Sequence, residues 1–453
     1  MKFYNREKER QRLIKATDSK KAKLIIVYGR RRCGKSTLIK NTLKPCDIYY
    51  MAQQSDESIQ RMQLASTISE KIKGFDSVVY PNWESLFTNL NNVLKEPLTL
   101  CIDELPYLVK SSQSLPSVIQ RVVDSTVNRK YHLILCGSSQ QMMQGLILNS
   151  SAPLYGRADE ILKITPLEAY WIRDALSCKP DQSIVEYSVW GGVPRYWELR
   201  AGEKSFKTAI NNIVFDRFGV LHEEPARLFL DDMRESVQAY SILSVVGGGS
   251  NRLSEIAARL SKPATQLSRP IDNLIQLGYL KRVVPFGEAE KNSKKGIYRI
   301  ADPFMNFYFT FLVPNLSRLE LGLTEQVYKG FESRLANYVS SEWENLCRRS
   351  VPMKSINGID FDIACRWWGT NMKNEPMELD VVAESTDKKY LLIGECKWST
   401  ISNPVSLMKK LEQKAKLFPL AKGKKIITVL YLKEVSEASP NVFSPSDVLE
   451  RLQ

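Results

Sequence analysis

The sequence predicts an α/β chain of several domains, and three observations carry that expectation. Apolar runs alternate with amphipathic stretches over residues 1–167, as strands and helices do around a parallel sheet. One of these runs leads directly into a glycine-containing basic turn. After a long helical middle, the order helix, strands, helix, strand appears again from about residue 335.

The strand candidates of the first part are "KLIIVYG" (23–29), "CDIYYMA" (46–52), "PLTLCIDE" (97–104), "YHLILCGSS" (131–139) and "EILKITPL" (160–167). An amphipathic helical stretch occupies 56–73. Helices on both faces of such a sheet explain runs that are continuously apolar instead of alternating. Ligands bind such sheets at the carboxyl ends of the strands, and the polar ends of these runs fall there.

With 453 residues, 43% of them hydrophobic, two to four domains can each bury a core. The longest apolar stretch, "FYFTFLV" (307–313), is too short to cross a bilayer. The first residues, "MKFYNREKER", lack the apolar segment of a signal peptide. A cytoplasmic protein with no membrane role is expected. Eight cysteines without C-x-x-C spacing, and only two histidines, His132 and His222, argue against structural zinc and a disulfide framework. The net charge of +14 attracts polyanions, nucleic acid among them, and equally fits a basic protein with no such partner.

"GRRRCGKST" (29–37) matches G-x-x-x-x-G-K-[ST], with a strand before it and a helix, "STLIKNTL", after it. Gly29 and Gly34 allow the turns that aim the N–H groups of Arg30, Arg31, Arg32 and Cys33 at phosphate. Lys35 is placed for the β- and γ-phosphates, and Ser36 for Mg²⁺, with Thr37 following in the helix N-terminus. Asp103 would hold the Mg²⁺ through its water shell, and Glu104 would orient and deprotonate the attacking water. Ser138 is either a sensor of the γ-phosphate or a turn serine. Arg157, in "PLYGRADE", is either a positive charge for phosphoryl transfer, in its own subunit or a neighbour's, or a surface arginine.

These segments resemble a known group. "FYNREKER" (3–10), the phosphate loop, "CIDELPYL", "CGSSQQMM" and "PLYGR" together resemble the archaeal-type P-loop ATPases of the AAA+/STAND group. "GGVPRYW" (191–197) is similar to the lid segment of that group. The resemblance implies ATP as ligand, Arg6 and Glu7 near the nucleotide entrance, and Pro194 against the adenine. Asn5 stands where that group has glycine, and Arg10 where leucine is common. A homo-oligomer is compatible with this ATPase class, although no residue demands one.

Further on, "LSEIAARL" (253–260), a turn, and "QLSRPIDNLIQLGYL" (266–280) read as two helices, with Gly278 as the stop signal. "KRVVPF" and "GIYRI" flank a charged tip. This is the layout of a winged helix-turn-helix. Gln266, Ser268 and Arg269 would meet DNA, and Lys291, Lys294 and Lys295 would form the wing tip. A purely structural or protein-contact module has the same layout.

In "ELDVVAESTDKKYLLIGECKW" (378–398), two strands would set Asp380 beside Glu395 and Lys397. Lys397 shares a face with Glu395, and Cys396 turns into the core. Such carboxylates suit Mg²⁺ or Mn²⁺ and phosphodiester chemistry. A plain hairpin with an ion pair is the other reading. "ADPFMNFYFTFLVPN" (301–315) resembles the segment that introduces a C-terminal domain behind many archaeal-type ATPases, and that domain resembles PD-(D/E)XK nucleases. The resemblance implies that Glu344, in "YVSSEWENLCRR", Asp380 and Glu395 bind metal, with Lys397 beside them. Its helix pattern carries a glycine near Ser340 or Ser341.

The expected architecture is an ATPase core (1–167), a helical lid (168–228), a winged helix (229–315) and a restriction-endonuclease-like α/β domain (330–453). The expected function is an Mg²⁺-dependent ATPase coupled to a nuclease-like domain acting on DNA, in defence or DNA processing. The alternative is a STAND-type switch whose C-terminal domain binds nucleic acid or a partner without cleavage.

Overall fold

The computed structural model describes residues 3–125, 129–148, 150–232, 236–289, 293–435 and 441–453. The chain divides into two compact units. One holds Phe3–Pro166, with a short stretch from Leu228 grouped with it; the other holds Leu167–Arg227 and the chain beyond 235.

In the first unit, β1 (Leu24–Gly29), β2 (Ile48–Met51), β3 (Leu98–Asp103), β4 (Tyr131–Gly137) and β5 (Glu160–Ile164) form one sheet in the order β2-β3-β4-β1-β5. Every pairing is parallel. All residues of β1, β3 and β4 are buried, which accounts for their unbroken apolar runs. The helix Trp83–Val93 shows how sequence sets packing on this sheet. Trp83, Leu86, Phe87 and Leu90 recur at helical spacing and enter the core. Asn82 caps the helix by accepting from the Ser85 N–H at 2.9 Å. Because β3, β4 and β1 are neighbours, their carboxyl ends deliver Asp103, Ser138 and the loop after Gly29 side by side.

The second unit begins with helices, among them Pro180–Trp190 and Pro194–Ala201. The helices Leu253–Arg259 and Ala264–Gln276 follow, and then an antiparallel pair, β6 (Leu280–Val283) and β7 (Ile297–Ile300). The second of these helices begins two residues before the expected start. It ends at Gln276, and Gly278 follows in the left-handed conformation (φ 78°). Leu267, Ile271 and Leu274 bury its inner face, while Gln266, Ser268 and Arg269 are exposed. Lys294 and Lys295 are exposed as well; Lys291 lies outside the described residues.

The C-terminal part of this unit is a mixed sheet, β12-β11-β10-β9-β8. Its strands are β8 (Cys365–Thr370), β9 (Pro376–Glu384), β10 (Tyr390–Lys397), β11 (Lys425–Leu432) and β12 (Val442–Phe443). The sequence reading missed β8 and β12. β9 and β10 are antiparallel, and β10 and β11 parallel. Leu391 and Ile393 pack with Leu411 and Ala415 of the helix Pro404–Lys416. The helix Leu335–Ser350 contacts β9 and β10 and buries Trp343, Leu346 and Cys347. Among the described residues, no helix is long and apolar enough to cross a membrane.

Candidate nucleotide site and C-terminal acidic pocket

The loop after β1 is wound by special backbone geometry. A Cβ on Gly29 would lie 2.1 Å from the Ile164 carbonyl oxygen, so only glycine lets β1 end this close to β5. Arg32 (φ 66°) and Gly34 (φ 87°) are both left-handed, a winding of the kind that gathers backbone N–H groups around an anion. Arg30 and Cys33 are buried, Arg31 and Thr37 are exposed, and Lys35 is buried. The Lys35 ammonium donates to the carbonyls of Gly29 (2.9 Å) and Arg30 (3.0 Å), which holds it across the loop.

Ser36 Oγ donates to Asp103 Oδ2 at 2.6 Å. Tyr49, from the neighbouring β2, donates to the same oxygen, and the Glu104 N–H donates to Oδ1 at 2.8 Å. Burial opposes the charge on Asp103, but hydrogen bonds from Cys136, Ser36, Tyr49 and Glu104 outweigh it and lower its pKa. A hydroxyl and an ionised carboxylate, so placed at the mouth of the loop, fit a hydrated Mg²⁺. Tyr49 and Cys136 were not foreseen as partners of Asp103. Glu104 is itself left-handed (φ 55°), and its Oε2 accepts from Ser138 Oγ at 2.8 Å and from the Ser138 N–H at 3.3 Å.

Asn5 and Arg6 are both left-handed, with φ of 54° and 75°. That backbone is why glycine suits position 5, and asparagine tolerates it better than most residues. The buried Arg6 guanidinium reaches the Cys33 carbonyl (3.5 Å) and the Thr165 carbonyl, tying the N-terminal segment to the loop. Arg157 is engaged by Asp124 at 2.8–2.9 Å, not by the loop. Pro194 starts a helix in the other unit and is half-buried beside Tyr196 and Trp197 of that helix's packed face.

In the second unit, Val381 and Gly394 are the last paired residues between β9 and β10. One step further along each strand come Asp380 and Glu395. There the Asp380 carboxylate accepts the Cys396 N–H at 2.9 Å. Asp380, Glu395, Lys397 and Glu344 line one pocket of about 510 Å³, together with Glu378 and Ser340. Burial, and then the charges of Glu344 and Glu395, push Asp380 up to a pKa of about 6. Carboxylate oxygens are the ligand type a divalent cation takes.

The geometry departs from the expected metal site. Lys397 binds Glu395 Oε1 at 2.7 Å, and Lys414, which the sequence did not single out, binds Oε2 at 3.1 Å. Glu344 pairs with Arg348 at 3.4 Å. Among the described residues, no three His, Cys, Asp or Glu side chains are gathered closely enough to hold a metal. The expected set Glu344, Asp380 and Glu395 therefore shares a pocket without forming a cage, because nearby cations already neutralise two of its members.

The fold and loop of the first unit define a P-loop ATPase. Residues 3–196 match the family described as "ATPase domain predominantly from Archaea". Residues 308–411 match one described as "Archaea bacterial proteins of unknown function". An uncharacterized protein of Methanocaldococcus jannaschii is 30% identical over 426 residues, 92% of this chain and 93% of its own. The chain belongs to this family of archaeal ATPases and is an ATP-hydrolysing enzyme. A Walker-type ATPase of Pyrococcus abyssi shares the fold at 20% identity and a TM-score of 0.53, over 68% of this chain and 96% of that one. The ORC2 protein of Aeropyrum pernix aligns with a TM-score of 0.46 at 14% identity, over 71% and 96% of the two chains.

Proposed function

We propose that this ATPase couples its nucleotide state to a C-terminal site that cleaves nucleic acid, DNA first, in the cytoplasm. The observation that carries the reading is the placement of Asp380 beside Glu395 and Lys397, in one pocket with Glu344. The parts proposed are an ATPase core (1–167), a lid (168–228), a winged helix (229–315) and a PD-(D/E)XK-like domain (330–453).

At the first site, Lys35 moves from its carbonyl partners to the β- and γ-phosphates. Ser36 and Asp103 would hold Mg²⁺, which would neutralise charge on the phosphates. Glu104 takes the proton of the attacking water, and Ser138 reports the γ-phosphate to it. Arg6 lies near the nucleotide entrance, and Arg157 supplies positive charge after leaving Asp124. At the second site, Asp380, Glu395 and Glu344 would hold Mg²⁺ or Mn²⁺ once Lys397 and Lys414 release Glu395 and Arg348 releases Glu344; the ion would supply an activated water and a polarised phosphodiester. Lys397 stabilises the charge that grows on the phosphate.

A second reading has its own support. Both oxygens of Glu395 are occupied by lysines, which suits a STAND-type switch that binds without cutting. One experiment separates the two. The protein is incubated with DNA or RNA and Mg²⁺ or Mn²⁺, with and without ATP, beside Asp380→Ala and Lys397→Ala. Nicking lost in both variants supports cleavage, and intact substrate in every lane overturns it in favour of the switch.

A further inference from the structure

The helix Leu335–Ser350, β8 and the β6–β7 hairpin border a second cavity of about 950 Å³. Lys281, Arg282, Arg299, Arg348, Arg349 and Arg366 line it, against three carboxylates. Those carboxylates do not balance the cations. Glu168 is taken by Arg349. Glu288 is engaged by Lys295, outside the cavity, at 2.9 Å. Glu342 lies near Lys281; burial pushes the glutamic acid up and the lysine down to about 8, which leaves the lysine charged near neutral pH and makes the buried glutamate a poorer counter-charge.

The remaining cations crowd one another. The Arg299 guanidinium meets the Ser341 hydroxyl at 3.3 Å, and Arg366 and Arg348 repel it. Arg366 Nη2 pairs with Glu378 at 2.5 Å, while its Nε is buried without a hydrogen-bond partner. Surplus positive charge and an unmet donor in a partly dry wall are costly unless an anion meets them.

The cavity also adjoins the acidic pocket. Arg366 lines both. Arg348 lines the cavity, donates to the Asp380 carbonyl at 2.8 Å and pairs with Glu344. We propose that this cleft holds the phosphodiester backbone of a single nucleic-acid strand and leads it to Asp380 and Glu395. Nucleotide-sized ligands fill cavities of ~300–1,000 Å³, so a few nucleotides of one strand fit. A duplex, whose major groove alone is ~12 Å wide, does not. Tyr298, also in the lining, offers a ring for base stacking.

Only the direction of the strand rests on the cleavage reading; its binding does not. The test measures anisotropy of fluorescent oligo-dT and oligo-U with the full chain in EDTA. Lys281→Gln/Arg299→Gln should bind about tenfold or more weakly, with a salt slope shallower by about 1.4 for two lost phosphate contacts. Lys71→Gln/Lys73→Gln removes the same charge from exposed positions to which no nucleic-acid contact is assigned and should stay within twofold of the parent. Thermal melting checks that both variants are folded. Loss on either strand supports the cleft. Parental affinity and slope in the cleft variant, or equal loss in both variants, overturns it. Asp380→Asn should keep strand affinity, so failed cleavage and failed binding are read independently.

Discussion

Ser138 donates its hydroxyl to Glu104 Oε2 at 2.8 Å, so the carboxylate proposed to take a proton from water is held by the strand end next to its own. The contact joins the end of β4 to the end of β3. A γ-phosphate that recruits the serine would release the glutamate. Glu104→Gln keeps the shape and removes the base. ATP turnover should fall about 100-fold or more, while equilibrium nucleotide binding stays near that of the parent. Undiminished turnover would take Glu104 out of the chemistry.

Asn5 and Arg6 are consecutive left-handed residues. A β-branched side chain at position 5 clashes with its own backbone there. Asn5→Val should destabilise the protein by about 1–2 kcal/mol, and Asn5→Gly should be close to neutral. Urea unfolding of both variants checks this, and a harmless valine would mean the segment is not wound as described.

Lys281 is pushed down from 10.5 to about 8 by burial, with Arg348, Arg349 and Arg299 adding repulsion and Glu342 opposing them. Between pH 8 and 10.5 the unfolded chain binds a proton that the folded chain has released. Stability at this group therefore rises with pH across that window and is lost as pH falls through 8. Lys281→Met combined with Glu342→Gln should remove a rise on the order of 1 to 2 kcal/mol, after discounting for partial exposure. Melting temperatures from pH 7.5 to 10.5 supply the comparison, and parallel curves would argue that Lys281 does not lose its proton on folding.

Lys414 and Lys397 each occupy one oxygen of Glu395. Lys414→Gln frees one of them. The Mn²⁺ concentration that half-saturates a thermal shift should then fall several-fold, a result independent of any cleavage. If the variant needs as much Mn²⁺ as the parent, Glu395 is not a ligand.

The phosphate loop was legible because its chemistry is contiguous. Gly29, Gly34, Lys35 and Ser36 act through backbone shape and reach within nine residues. The position of Asp103 and Glu104 at the carboxyl end of a buried strand, beside the loop, was legible because an apolar run that ends in two acids reads as such a strand. The hairpin holding Asp380, Glu395 and Lys397 was visible through strand alternation and a polar turn. The substitution at position 5 looked like a departure from pattern, and its left-handed φ shows it to be a conservative one.

What stayed hidden depends on contacts between segments far apart in the chain. Tyr49 reaches Asp103 only because β2 lies beside β3, and no spacing in the sequence announces that neighbour. Lys414 sits on a helix whose solvent-facing lysines all look alike; packing of that helix on β10 turns this one onto Glu395. The basic cleft draws its cations from four elements, none notable by itself. The sequence by itself determined the elements and their local chemistry, because backbone conformation and side-chain periodicity act over a few residues. Strand order, the lysines that occupy Glu395 and the charge surplus of the cleft were decided by the tertiary structure, because electrostatic and packing energies depend on distance in space, not along the chain.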